Sequence, residues 1–399
     1  MMRRLFRGIS ELYTPFTRVE DAVLAVEDGT VAFVGPAREL PGTFWDWPAT
    51  DIGGHGVLPG LVDSHTHLVW AGDRLAEYHL RARGAAYEEI LQAGGGIYNT
   101  VRATTTASEE ELLGLARERA HTFLQGGVTA LEVKSGYGLE FEQELKMLRV
   151  VNRLAAELPQ HVVPTLLAHV IPRDRDRNEY VAAFTRELIP EVARSGLARA
   201  VDVFCDAGAY TLDETRLIFE AARAHGLGVK AHAEQLTRTG ATALVAEFEG
   251  LSADHLEQTT EEDWRALAAA GSVATLLPGA TVLLRKPFPS ARAMWDAGVK
   301  VAVATDHNPG SSPFYSLFLA MQLAIALGDL TVEEALVAGT AHTADALDLP
   351  ALGRLEKGSA ADFIVTSTAH ATSPLYTWGT TGLERVYTGG EEVWPYDKS

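Results

Sequence analysis

Eight short apolar segments, each of strand length, recur through the middle of this chain, at residues 57–63, 128–134, 162–169, 200–206, 228–233, 251–255, 273–277 and 299–305. Most are separated by stretches whose apolar residues return at i, i+3 and i+4, at 109–125, 140–157, 178–195, 213–225, 261–270 and 331–347. That spacing is the mark of an amphipathic helix laying one face on a sheet. Strand–helix alternation builds a parallel sheet, and eight repeats close it into a (β/α)8 barrel of the α/β class. An open doubly wound sheet is the rival. It requires a Gly-rich phosphate turn directly after an early strand, whereas Gly94-Gly95-Gly96 follows a helical segment. The triplet reads better as a loop near the barrel mouth.

A barrel of this kind takes about 250 residues, and a length of 399 leaves enough for a small second unit. Both ends are β-rich. Residues 21–35 read as two strands joined at Asp28-Gly29, and 361–365 and 385–393 alternate like an antiparallel sheet. The expected organisation is a small β-sandwich domain built from residues 1–58 with 352–399, and a barrel over 59–351.

Composition narrows the partners. At 47% hydrophobic and 22% charged the chain suits a globular protein with a large core. A formal charge of −19 argues against non-specific nucleic-acid binding, which needs clustered Lys and Arg. No apolar run is long enough to span a bilayer, and the basic start Arg3-Arg4 has no apolar signal region behind it. The expected setting is therefore cytoplasmic, with no membrane or nucleic-acid partner. Cys205 lies in an apolar run and reads as a buried thiol. A homodimer is the expected assembly, being the commonest one.

In such a barrel, chemistry sits at the C-terminal strand ends. The first segment ends in His65-Thr66-His67. Residues two apart on a continuing strand face the same side, and two converging imidazoles hold a transition metal. Alone, the pair reads better as surface or core histidines. The fifth segment, however, ends in His232-Ala233-Glu234-Gln235, the sixth in Asp254-His255, and the eighth in Asp306-His307-Asn308. Apolar strands ending in His and Asp are poorly explained by packing, because buried polar groups need partners. One shared metal centre explains them together. His55, His79, His121, His161, His225, His342 and His370 lie outside this pattern and read as ordinary histidines.

The run Pro59-Gly60-Leu61-Val62-Asp63-Ser64-His65-Thr66-His67, with His232, His255 and Asp306 in that order, resembles the amidohydrolase superfamily. Within it, Lys134-Ser135-Gly136-Tyr137-Gly138, Ala71-Gly72-Asp73-Arg74, Ala168-His169 and Asp306-His307-Asn308-Pro309-Gly310-Ser311 resemble the imidazolonepropionase family. The resemblance implies one divalent metal, zinc or iron, on His65, His67, His232 and Asp306. It implies substrate contacts from Arg74, Tyr137, His169 and Gln235, with Asn308, Gly310 and Ser311 lining the pocket. Proton transfer then falls among His255, Asp306, Glu234 and Gln235. Gln235 stands where some members carry Glu, and an amide can donate a hydrogen bond but not act as a base. The implied reaction is hydrolysis of the cyclic amide of 4-imidazolone-5-propanoate to N-formimidoyl-L-glutamate by a metal-activated water. Arg74 would grip the small-molecule substrate's carboxylate with its bidentate fork. A purine or pyrimidine deaminase with the same ligands, and a binding protein that has lost catalysis, are the other readings. The last predicts missing ligands, and every expected ligand type is present.

Overall fold

The computed structural model describes residues 2–84 and 95–395. Of the glycine triplet, Gly94 lies outside the described residues, while Gly95 and Gly96 lead into the helix Ile97–Thr106. Eight parallel strands form one sheet in chain order: Leu61–Asp63, Val128–Lys134, His161–Ala168, Ala200–Cys205, Gly228–Ala233, Ser252–His255, Val273–Leu276 and Lys300–Val303. Closure comes where the first and last strands run out. The His67 N–H donates to the His307 carbonyl and the Asp306 N–H to the His65 carbonyl, each at 2.9 Å. Asp63 reinforces this seam by accepting from Thr305 Oγ1 at 2.6 Å.

Helices start where side chains satisfy their free N–H groups. Ser108, Thr211 and Thr331 each form a capping box with the Glu three residues on, opening Glu109–Gln125, Leu212–Ala224 and Val332–Ala338. Leu112, Ala116, Ala120 and Phe123 then face the barrel and are buried, as the helical period requires. Cys205 is buried and free.

Three segments depart from their expected form. The stretch 178–195 is not one uniform helix but Arg177–Ala183, a π-helical turn Phe184–Leu188, and Ile189–Arg194. Pro190 has no N–H for the α-helical ladder, and the chain widens just ahead of it. The stretch 331–347 breaks at Gly339 into Val332–Ala338 and Ala341–Asp345. A Cβ on Gly339 would meet Met321 Sδ at 2.4 Å, and the Gly339 carbonyl instead accepts the Val62 N–H of the first barrel strand at 3.1 Å. Residues 57–63, read as one strand, serve two sheets: Ala49–Pro59 ends in the small β unit, and Leu61–Asp63 begins the barrel.

That β unit draws Arg3–Tyr13, Arg18–Glu27, Thr30–Pro36 and Ala49–Pro59 from one end of the chain, and Phe363–Thr366, Leu383–Thr388 and Glu391–Trp394 from the other. Asp28 and Gly29, at φ 47 and 80, make the tight hairpin turn between two of these strands. Phe6 is in register with Thr50 and Phe363 with Pro59. A straight strand would separate those points by about 30 Å, yet the two rings lie 4.9 Å apart. The sheet therefore folds over at Gly53-Gly54, both at positive φ, and encloses a core of Phe6, Leu24, Val57, Phe363 and Tyr387. No described helix is long and apolar enough to cross a membrane.

Candidate metal centre and active site

The closing seam delivers the candidate ligands to one point. His65 Nε2 lies 3.1 Å from His232 Nε2, and Asp306 Oδ1 lies 3.5 Å from His65 Nε2 and 3.4 Å from His67 Nε2. All four side chains are buried. The residues themselves test whether a cation fits. His65 Nδ1 is 2.7 Å from Asp254 Oδ2, and His232 Nδ1 is 3.1 Å from Asp202 Oδ1. A carboxylate accepts, so each Nδ1 carries the hydrogen and each Nε2 presents a lone pair. Burial, and then Lys134, holds His65 well below the ordinary imidazole range, so its ring is neutral. Two lone pairs facing each other at 3.1 Å, beside a buried Asp306 Oδ1 that has no hydrogen-bond partner, are repulsive unless a cation sits between them. Three imidazoles and a carboxylate suit a divalent transition metal.

The strand ends here are strained. Glu234, His255, Leu256 and Asp306 have φ of 53, 85, 74 and 53, left-handed values that cost a non-Gly residue about 1–3 kcal/mol. Such strain collects where side chains must be aimed at a site. His255 points its ring to within 5.2 Å of His232, centroid to centroid.

A cavity of about 610 Å³ opens above the ligands. Tyr137 enters it from a loop moulded by the buried Glu144, whose carboxylate accepts from the N–H groups of Gly136, Gly138 and Leu139 at 2.7–2.8 Å. A Cβ on Gly138 would strike the Gln143–Glu144 backbone at 2.6 Å, which is why the motif flanks its Tyr with glycine. His169 sits beside Tyr137, ring centroids 5.4 Å apart, with Nδ1 on the Gly136 carbonyl at 3.1 Å. Arg74 is not a solvated loop charge. It pairs with Glu77 at 2.5 Å, its side chain 11% exposed, and lines the cavity with Arg81. Asn308, Gly310, Ser311 and Gln235 also line it. Asn308 Oδ1 accepts from the Gly310 and Ser311 N–H groups at 2.8 Å each, fixing the turn after Asp306.

Glu234 is not brought to the cavity. Its Oε1 accepts from the N–H groups of Thr239, Gly240 and Ala241, and its Oε2 from Thr242 N–H. The carboxylate caps the start of the helix Ala241–Glu247 and has no free oxygen for proton transfer.

An amidohydrolase family model matches residues 57–393. Imidazolonepropionase from Deinococcus radiodurans is 46% identical, over 98% of this chain and 100% of the relative. That from Pseudomonas paraeruginosa is 46% identical over 95% of each. The chain belongs to the imidazolonepropionase family of amidohydrolases. It is a hydrolytic enzyme and takes a small-molecule substrate. Solved structures share its fold at low identity: an adenosine deaminase from Xanthomonas campestris with bound zinc has a TM-score of 0.73 at 20% identity, covering 98% of this chain and 92% of that one. A guanine deaminase from C. acetobutylicum has a TM-score of 0.72 at 15%, covering 98% and 99%.

What the sequence reading of this imidazolonepropionase-family chain missed lies below the ligands: the hold of Asp254, noted there only as a strand-end carboxylate, on His65, and the parts played by Asp202, Glu132, Lys134 and Lys230. Asp202 and Asp254 hold the two histidines, and Glu132, Lys134 and Lys230 stand behind them, all fully buried. The available signal was charge inside apolar strands at alternate positions, Glu132/Lys134 and Lys230/His232, which places each pair on the barrel interior. Arg81, in the helix Leu75–Ala82, carried no comparable signal.

Proposed function

We propose that this enzyme hydrolyses the ring amide of 4-imidazolone-5-propanoate to N-formimidoyl-L-glutamate, with one zinc or iron ion held by His65, His67, His232 and Asp306. The observation that carries the reading is the convergence of facing imidazole lone pairs and an unpartnered Asp306 oxygen beneath a cavity that Arg74 lines. When bound, the metal supplies Lewis acidity and an acidified water at neutral pH.

The chain's own residues supply the rest. Burial pushes the Asp306 carboxyl up to about 7, and this carboxylate accepts a proton and returns it to the leaving ring nitrogen. Burial, and then His232, keeps His255 well below its ordinary value. It acts as a neutral imidazole donating to oxyanion charge as it develops, a contribution of roughly 3–4 kcal/mol. Burial likewise lowers His169 to about 3. With Nδ1–H on Gly136, its Nε2 accepts an N–H of the substrate ring. Burial raises Tyr137 above its ordinary value and keeps its hydroxyl protonated, a donor at neutral pH. Arg74 and Arg81 against the single Glu77 leave one positive charge for the propionate. Gln235 orients the substrate by hydrogen bonding, and Glu234 has no chemical role.

The direct test supplies imidazolonepropionate, generated from urocanate immediately before use, to metal-replete enzyme and measures formiminoglutamate. Absence of product, with release of ammonia from guanine or cytosine, would replace this reading with a deaminase.

A further inference from the structure

Five charged side chains fill the barrel interior beneath the ligands: Glu132, Lys134, Asp202, Lys230 and Asp254, each with no exposed surface. Barrels of this kind usually fill that space with Val, Ile and Leu, and burying ions costs several kcal/mol apiece unless they are paired. Here the pairing runs in one line. Asp254 Oδ2 lies 3.7 Å from Lys230 Nζ, and Lys230 Nζ donates to Glu132 Oε1 at 3.0 Å. Lys134 Nζ lies 2.6 Å from Glu132 Oε2 and donates to Asp202 Oδ2 at 2.6 Å. The outer carboxylates are the ones that hold His65 and His232, whose Nε2 atoms meet at the ligand point. The line is thus a loop closed by the metal position.

We infer that this alternating chain, with Glu132 at its centre, positions the metal: it fixes the tautomers of His65 and His232 together and sets the negative charge that a divalent cation neutralises. The inference rests on the metal reading above and deepens it. Little freedom remains in the loop. Ser252 Oγ donates to Asp254 Oδ1 and Thr165 Oγ1 to Glu132 Oε1, each at 2.6 Å, and Lys230 Nζ donates to the Ser64 carbonyl at 2.9 Å. Each imidazole Nδ1–H therefore faces an anion that cannot turn away. Three carboxylates against two ammoniums leave one formal negative charge in the chain, and Asp306 adds a second. A dication balances them. Glu132 touches no ligand, so it is a positioning residue and not a catalytic one.

A purely structural plug would have the same contacts, and metal retention separates the two. Zinc-loaded wild type, Glu132→Gln and Glu132→Gln/Lys134→Met are equilibrated against a chelator series, with bound zinc read by atomic absorption and folding by circular dichroism. Glu132→Gln is expected to bind zinc about 10–100-fold more weakly, the usual loss when support behind a metal ligand is removed. The double variant, which restores the formal charge, is expected to regain most of that loss. Wild-type retention in Glu132→Gln, or a double variant weaker than the single one, overturns the inference. Should Glu132→Gln not fold, Asp254→Asn removes the same charge at the other end and is read in the same way. A wild-type protein that holds no zinc or iron overturns the metal reading itself.

Discussion

At the scale of the residue, an ordinary side chain becomes functional through what holds it. Arg74 looks like a loop charge in sequence, but its pairing with Glu77 aims a largely buried guanidinium into the cavity. Arg74→Ala should raise KM about 10–100-fold, the loss of charge-assisted hydrogen bonds worth about 1.5–3 kcal/mol. kcat should change much less, since the carboxylate is remote from the scissile bond. Steady-state kinetics with imidazolonepropionate checks this, and an unchanged KM would remove Arg74 from the carboxylate site. His65, His67, His232 and Asp306 were readable because each ends an apolar strand. Asp254 was legible as a strand-end carboxylate beside His255 but its hold on His65 was not, and Asp202 was not legible at all, because a carboxylate in a strand acquires this meaning only when the fold brings an imidazole to it.

At the scale of the element, the capping role of Glu234 makes a prediction opposite to that of an acid–base residue. Glu234→Ala strips the start of the helix Ala241–Glu247 of its acceptor and should lower stability by roughly 2–4 kcal/mol, read from the urea midpoint. An unchanged midpoint with abolished turnover would restore a chemical role. A second prediction concerns the join between the barrel strand His161–Ala168 and the small β unit. His161 Nε2 lies 2.9 Å from Asp362 Oδ2, and this carboxylate, against the opposing effect of burial, raises the His161 pKa. A pKa raised by folding gives stability that is fully present below the unfolded value of about 6.5 and is lost as pH rises through the folded value. His161 is 46% exposed, so solvent screening holds the effect under ~1 kcal/mol. Melting temperature should therefore fall slightly from just below neutral pH into the alkaline range, and His161→Gln should flatten that slope. The same slope in His161→Gln would assign it to other groups.

At the scale of the whole molecule, the ligands proposed above come from the ends of the first, fifth and eighth strands, so a metal bound there would tie the barrel across its seam. A metal that binds only the folded state stabilises it by RT ln(1 + [L]/Kd), about 4 kcal/mol at a thousandfold excess over Kd. Dialysis against a chelator should lower the melting temperature by several degrees, and added zinc or iron should restore it in proportion to the logarithm of concentration. Identical melting curves with and without chelator would place the metal outside the folded core or remove it altogether.

By itself the sequence determined the period of the elements, and with it the barrel class, the β-rich ends and the strand ends that carry His and Asp. These are local properties, set by side-chain spacing along one strand or helix. Only the tertiary structure decided that the Asp306 N–H closes the barrel on the His65 carbonyl, that Glu234 turns away to cap a helix, and that five buried charges join His65 to His232. Each of those depends on which strands become neighbours, and electrostatic pairing over a few ångströms has no signature along a chain whose partners lie tens of residues apart. The two facing imidazole nitrogens show the division: their residue types were legible, but their mutual repulsion, and so the need for a cation, exists only in the fold.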